Sequence, residues 1–287
     1  MVKSGRKDGT VIGVGHLGTA IASHFSGSMN TVGFIYDENF LDQYKVDAIL
    51  QLKSFNGYSQ NMDETLSRER DNILEYISGR LVFIITQQEG RFQESILKPL
   101  TDVERSTGAF VALFLVAPMG SDGRSGAARI KAVLQDIDMF ETVDSELILA
   151  QIAGGRVADM NSILYKYIKD RISGISAISE NSTALGISIH DIKMYTALYG
   201  PLKLFTFNYS YVNFSIAERD IFQVLSQIQR DRIKRVYMFL EIGEEVDSGD
   251  LIAFTRRVKN RLGLIDFRQG FIHAKEGFGL IILVFGA

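Results

Sequence analysis

The first half of the sequence alternates short apolar runs with segments of helical periodicity. The apolar runs are residues 10–14, 31–36, 81–86 and 110–117. Continuous apolar runs of this kind are typical of parallel strands that are buried on both faces by helices. The sequence therefore predicts an α/β fold for this half, with a Rossmann-like parallel sheet.

A long helical pattern follows this half. Met160, Leu164 and Ile168 belong to a series of apolar positions at helical spacing, which predicts one helix over residues 155–173. Beyond it, predicted strands and helices form a smaller α+β region. The strands are residues 203–213, 235–242 and 279–284, and the helices are residues 216–229 and 251–262. The predicted organisation is a Rossmann-like domain at 1–154, a central helix and connector at 155–178, and a C-terminal α+β domain at 179–287.

The composition excludes several classes of protein. Lys and Arg total 31 against 34 Asp and Glu, so the net charge of −3 gives no basic surface for a nucleic-acid backbone. Cysteine is absent and the four histidines lack metal-ligand spacing, so no metal site is expected. The longest apolar runs, residues 110–119 and 277–287, fall short of the about 20 residues that cross a bilayer. We expect a cytoplasmic protein without membrane insertion.

The first glycine-rich segment is a candidate binding site. Residues 13–18 read Gly-Val-Gly-His-Leu-Gly, a GxGxxG pattern between a predicted strand and a predicted helix. Gly13, Gly15 and Gly18 would let backbone N–H groups approach a phosphate, and Asp37 near the end of the next strand would bind a ribose hydroxyl. The alternative is a tight turn in which only glycine fits. The pattern thus predicts either a nucleotide-binding turn or a purely structural one.

Several short motifs, together with the order of elements, resemble the FtsZ/tubulin superfamily. Residues 11–15 are similar to its first glycine-rich loop, residues 118–124 to its ribose-side loop, and the Arg-Val-Ala-Asp at 156–159 to the start of its central helix. The resemblance covers nearly the whole chain and implies GTP or GDP as the ligand. With the glycine pattern, it gives these predicted cofactor-binding residues: Gly13, Gly15, Gly18, Asp37, Gly90, Asp122, Arg124 and Asp159.

The phosphate loop of that family is altered in this sequence. Residues 89–95 read Glu-Gly-Arg-Phe-Gln-Glu-Ser where the family has GGGTGTG. Glu89 and Glu94 would repel a triphosphate, and Arg91 would offset this repulsion only in part. The alternative is that this segment is an ordinary loop and helix start, where Glu94 is favourable. We therefore expect weakened nucleotide binding.

The positions that the family uses for base recognition and catalysis are also altered. Gly155 stands where FtsZ has an aromatic residue that stacks on guanine, and Asp144 stands where it has an asparagine. In the loop at residues 186–191, Asp191 alone remains of the side chains that orient the attacking water, and it is the predicted catalytic remnant. Because positioning the water requires both this loop and the phosphates, little or no GTPase activity is expected.

The resemblance implies an FtsZ/tubulin-like cytoskeletal or cell-division protein, acting as a structural or regulatory paralogue. Its expected partners are further copies of itself or another tubulin-like protein. The sequence reaches Ala287 on its last predicted strand, so no C-terminal anchoring peptide is expected. Two alternatives stay open: an NAD(H)-binding oxidoreductase or redox sensor, and an active GTPase with an unorthodox phosphate loop.

Overall fold

The computed structural model of the chain forms two compact units, Met1–Lys169 and Asp170–Ala287. The residues that it describes are 9–35, 43–51, 74–77, 79–88, 96–97, 100–102, 107–117, 136–146, 148, 160–181, 186–274 and 277–286. The division at 1–154, 155–178 and 179–287 stays a prediction from the sequence. Over the described ranges, no helix is both long enough and apolar enough to cross a membrane.

The first unit contains a six-stranded parallel sheet with the order β3-β2-β1-β4-β5-β6. The strands are β1 Gly9–Val14, β2 Asn30–Ile35, β3 Ala48–Gln51, β4 Leu81–Gln87, β5 Phe110–Ala117 and β6 Met139–Asp144. Every residue of β1 and β5 is buried, as expected for central strands covered on both faces. The predicted α/β fold with a Rossmann-like parallel sheet is confirmed.

The two edge strands of this sheet have no counterpart among the sequence predictions. β3 is half-buried along its whole length, and β6 carries Glu141 and Asp144. A strand at the edge of a sheet is less completely covered than a central one, so it lacks the continuous apolar run that marks β1, β4 and β5 in the sequence. The continuous apolar run that identifies the central strands is therefore missing from the edge strands, which the sequence does not predict.

Helix α1 (Gly15–Ser23) follows β1 without an intervening loop, and helix α2 spans Met160–Glu180. Leu164 and Ile168 of α2 are almost fully buried, in agreement with the apolar series that predicts this helix. The helix continues through Gly174, beyond the predicted end at residue 173. A Cβ there would lie 3.0 Å from the Thr206 methyl carbon, so glycine allows a close approach instead of ending the helix.

The second unit contains a four-stranded sheet with the order β7-β10-β8-β9. Its elements are α3 Ile189–Tyr199, β7 Lys203–Tyr209, α4 Phe214–Ser226, β8 Arg235–Ile242, α5 Ser248–Leu262, β9 Asp266–His273 and β10 Phe278–Phe285. β10 is antiparallel to both β7 and β8, whereas β8 and β9 are parallel. Residues of α4, α5 and the sheet share one apolar core, which includes Ile221, Phe254 and Leu280. The smaller α+β region is thereby confirmed.

Three local differences from the sequence prediction have simple causes. β7 ends at Tyr209 instead of residue 213, because its partner β10 begins at Phe278, which lies opposite Tyr209. Asn213 is the N-cap of α4 and accepts a hydrogen bond of 3.0 Å from the Ile216 N–H. β9 is not predicted because it begins Asp-Phe-Arg-Gln, which breaks the apolar pattern. Helix α3 is not predicted because its first turn lies in the segment that the resemblance assigns to a loop.

Candidate functional site

The turn between β1 and α1 lies at the edge of the sheet where ligands of α/β proteins bind. β1 and β4 are neighbours, and the chain proceeds outward from them in opposite directions, to β2 and β3 on one side and to β5 and β6 on the other. In open parallel sheets, ligands bind beyond the carboxyl ends of the strands at such a reversal of strand order. α1 begins at this point.

The start of α1 suits an anion. Gly15 has a φ of +73°, a left-handed conformation that places the first helical turn directly after the strand. The N-cap residue is Val14, which makes no side-chain cap, and the first turn carries no acidic residue. The N-terminal end of a helix carries a partial positive charge, and here no carboxylate within the helix neutralises it. The strand, glycine turn and helix that the sequence pattern predicts are therefore present.

Two glycines of the GxGxxG pattern also have a packing function that requires no ligand. A Cβ on Gly13 would lie 2.4 Å from the backbone of Thr19, and a Cβ on Gly18 would lie 2.2 Å from the carbonyl oxygen of Ile85. The Thr19 hydroxyl donates a hydrogen bond of 3.2 Å to the Gly13 carbonyl. These glycines hold α1 tightly against β1 and β4, so both readings of the pattern are compatible with the structure.

An aromatic pair beside the turn has no counterpart in the sequence prediction. His16 Nδ1 lies 3.1 Å from the hydroxyl oxygen of Tyr44, and the two ring centroids are 6.2 Å apart. Burial raises the pKa of the Tyr44 phenol above its usual value. The sequence shows His16 only as the variable position of the glycine pattern, and nothing in it identifies a residue 28 positions later as its partner.

The remaining predicted binding residues lie outside the described part of the chain. They are Asp37, Gly90, Asp122, Arg124 and Asp159, and the same holds for Glu89, Arg91, Glu94 and Gly155. Asp144 is described: it ends β6, and its carboxylate accepts a hydrogen bond of 3.0 Å from the Glu146 N–H. Of the predicted cofactor-binding set, the structure thus brings together Gly13, Gly15 and Gly18.

Asp191, the predicted catalytic remnant, lies in the second unit as the third residue of α3. It forms a capping box with Ser188, the N-cap of that helix. Its Oδ2 accepts hydrogen bonds from the Ser188 hydroxyl at 2.7 Å and from the Ser188 N–H at 2.8 Å. The Ser188 hydrogen bonds hold the pKa of the Asp191 carboxyl below its usual value. The carboxylate therefore has a structural function in the helix start, which the loop comparison does not reveal.

The described ranges contain no group of three or more His, Asp or Glu side chains that could hold a metal ion.

Comparisons with known proteins identify the fold. No protein-family model matches the sequence, and no curated protein matches it significantly. Solved structures do match, over nearly the whole chain. An FtsZ W319Y mutant from M. jannaschii is 13% identical with a TM-score of 0.74, covering 98% of this chain and 91% of that chain. TubZ from Bacillus thuringiensis serovar israelensis, in a GTPγS-form protofilament, is 12% identical with a TM-score of 0.73, with coverages of 98% and 85%.

A third similar structure is CetZ2 from Haloferax volcanii, a GTPγS-bound protofilament, at 13% identity and a TM-score of 0.70, with coverages of 96% and 92%. The similarity extends over both compact units, because at least 96% of this chain is covered in each comparison. The chain therefore has the two-domain α/β fold of FtsZ and tubulin. At these identities the comparisons establish the fold, as the sequence motifs predict.

Proposed function

We propose that this protein is a tubulin-like cytoskeletal protein that associates with copies of itself in the cytoplasm and serves cell division or a related process. The observation that carries this proposal is the match of the entire two-unit fold to FtsZ, CetZ2 and TubZ. The structures of CetZ2 and TubZ are protofilaments, and one matching FtsZ structure is a dimer. A fold common to assembling proteins supports self-association of this chain.

Nucleotide binding by this protein is proposed to be weak and centred on the β1–α1 turn. The uncapped start of α1 and the left-handed Gly15 support an anion site there. Glu89 and Glu94, in the segment that replaces the glycine-rich phosphate loop, oppose a triphosphate through their charge. GTP or GDP is the proposed ligand, held by the retained turn and by the predicted side chains Asp122 and Asp159.

GTP hydrolysis is proposed to be slight or absent. The water-orienting loop of the family retains Asp191 here, and Oδ2 of that carboxylate is already occupied by two hydrogen bonds from Ser188. A carboxylate committed to its own helix start is less free to polarise a water molecule. The proposed role is accordingly structural or regulatory instead of enzymatic.

The experiment measures assembly of the protein and hydrolysis of GTP in parallel. Purified protein is centrifuged over a range of concentrations with GTP, with GDP and without nucleotide, the pellets are viewed by negative-stain electron microscopy, and phosphate release is followed in parallel. We expect filaments or sheets above a threshold concentration, with phosphate release at background throughout. A protein that stays monomeric at all concentrations would contradict the cytoskeletal role. Turnover that rises steeply with concentration would instead identify an active GTPase.

A second candidate function is NAD(H) binding, which the strand order and the β1–α1 turn also favour. The order β3-β2-β1-β4-β5-β6 with a glycine turn after β1 is that of dinucleotide-binding domains. The whole-chain match to FtsZ argues for the first function, because it includes the second unit. Thermal melting with GTP, GDP, NAD and NADH separates the two: stabilisation by NAD or NADH alone would favour the dinucleotide protein.

A further inference from the structure

A cavity of about 440 Å³ lies in the second unit, between the C-terminal ends of α4 and α5. Its apolar lining consists of Phe222, Leu225, Ile228, Ile233, Leu262 and Ile265. Leu225, Ile233 and Leu262 belong to the core of the unit, so the cavity is a recess into that core. A volume of this size falls within the range of about 300–1,000 Å³ that is usual for small-molecule sites.

The polar lining of this cavity is positively charged. Besides Ser226, its polar residues are Arg230 and Arg261, and no acidic residue among those that the structure describes lines it. The Arg261 guanidinium lies over the Phe222 ring, 3.9 Å from the centroid, at the wall of the cavity. An apolar recess with two guanidinium groups offers hydrophobic contact and a fork of N–H donors to the same ligand.

Among the described residues, no carboxylate forms a close ion pair with either arginine. Arg230 donates one long hydrogen bond, of 3.4 Å, to the Leu262 carbonyl at the end of α5. Arg261 lies 3.8 Å from Glu218, but that carboxylate is engaged at 3.0 Å by Arg257. Cations near helix C-terminal ends are favourable in themselves, which accounts for their position along the chain. This preference does not explain the open apolar recess beside the two arginines.

We propose that this cavity binds a small apolar molecule that carries a carboxylate, such as an aromatic carboxylic acid. The apolar part occupies the recess lined by the core side chains, and the carboxylate faces Arg230 and Arg261. A carboxylate accepts two parallel hydrogen bonds from one guanidinium group, an arrangement that an alcohol or an amine cannot reproduce. The site lies within the second unit and is independent of the proposed nucleotide site.

Three probes of one shape test the proposal: 2-naphthoate, the neutral 2-naphthalenemethanol and the cationic 2-naphthylmethylamine. Binding to the full chain is measured by calorimetry and by NMR. We expect 2-naphthoate to bind at one site per chain, about tenfold more tightly than the alcohol, with the amine weakest. Equal affinity of the acid and the alcohol would overturn the assignment of a carboxylate ligand, and absence of binding by all three would overturn the site.

Variants locate the bound probe. Arg230→Gln and Arg261→Gln are each expected to weaken 2-naphthoate binding about tenfold while leaving the alcohol unchanged. Ser226→Trp places an indole in the recess from an exposed position and should abolish binding of both. Arg219→Gln is the matched control, because Arg219 is an exposed arginine of α4 that pairs with Asp220 and does not line the cavity. Binding that survives Ser226→Trp, or that falls equally in Arg219→Gln, would show that the probe lies elsewhere.

Discussion

Helices α1 and α3 differ in how the backbone N–H groups of their first turns are satisfied. Both helices begin with backbone N–H groups that have no partner within the helix. α3 satisfies one of them internally, because the Ser188 hydroxyl oxygen accepts a hydrogen bond from the Asp191 N–H within a reciprocal capping box. α1 begins with Val14 and Gly15 and receives no side-chain cap. A helix start closed by its own carboxylate has little capacity for an external anion, whereas an uncapped start at the ligand-binding edge of a parallel sheet retains it.

The largest expected effect concerns the packing that places the α1 start. Gly18→Ala should lower the free energy of unfolding by about 3 kcal/mol or more, because the added Cβ would lie 2.2 Å from the Ile85 carbonyl oxygen. Urea unfolding measures this change. Gly27→Ala is the control: nothing lies within 4 Å of the added carbon, so a change within about 0.5 kcal/mol is expected. Similar values for both variants would show that α1 is not closely packed on the sheet.

The next effect separates the ligand function of the turn from its conformation. Gly15→Ala and Gly108→Ala both place alanine in a left-handed conformation, at φ values of +73° and +75°, so each should cost about 1–2 kcal/mol of stability. Only Gly15→Ala is expected to weaken GDP binding, by about tenfold, as measured by calorimetry. If the two variants bind GDP equally well, the α1 start is not the nucleotide site.

Restoring glycines in the segment that replaces the family's phosphate loop should strengthen nucleotide binding. The double variant Glu89→Gly with Arg91→Gly is expected to bind GTP about tenfold more tightly than the wild type, because exposed backbone N–H groups replace a repelling carboxylate. One acidic and one basic side chain are removed together, so the net charge of −3 is unchanged and bulk electrostatics cannot produce the gain. Unchanged or weaker affinity would place the phosphates away from this segment.

The smallest effect is expected at the closed helix start. Asp191→Asn should lower the free energy of unfolding by about 1 kcal/mol at neutral pH, through loss of the capping box. The native carboxyl has a lowered pKa, so its contribution is present above the unfolded-state pKa and is lost as the pH falls through the native-state value. Denaturation curves of both proteins should therefore converge at acid pH.

Asp250→Asn provides the control for this pH dependence. Asp250 is also the third residue of its helix, α5, but there the Asp247 side chain makes the cap and no reciprocal box is formed. Its substitution should cost less at neutral pH than Asp191→Asn. A stability difference between wild type and Asp191→Asn that persisted unchanged at low pH would mean that the charged carboxylate does not act through the cap.

The elements that the sequence predicts well are those whose burial is uniform. β1, β4 and β5 are continuous apolar runs because both of their faces are covered, and β8 is predicted with its observed limits. The edge strands β3, β6 and β9 contain polar or half-exposed positions and are not predicted. The fourth edge strand, β7, is also mixed in burial and is predicted four residues too long at its end. Strand pairing itself depends on contacts that are distant in sequence, and no local pattern encodes them.

At the candidate site too, local sequence patterns do not reveal contacts between residues that are distant in the chain. The glycines predict a turn between a strand and a helix, and the structure contains that turn. The packing of Gly13 and Gly18 depends on Thr19 and on Ile85, the latter in a strand far along the chain. Local residue spacing likewise does not predict that Tyr44 contacts His16. The hydrogen bonds between Asp191 and Ser188 require the start of α3, which is not predicted.

The position of β10 in the second sheet has a consequence for the order of folding during synthesis. β10 pairs with both β7 and β8, although it follows both of them in the sequence. Both pairings involve Phe278, the first residue of β10, so neither can begin before this residue has left the ribosome. The six strands of the first sheet are all present once Asp144 has emerged. The first unit can thus begin to fold while the second is still being made. β7, which joins its sheet through β10, stays unpaired while residues 210–277 are synthesised and is exposed to misassociation during that time.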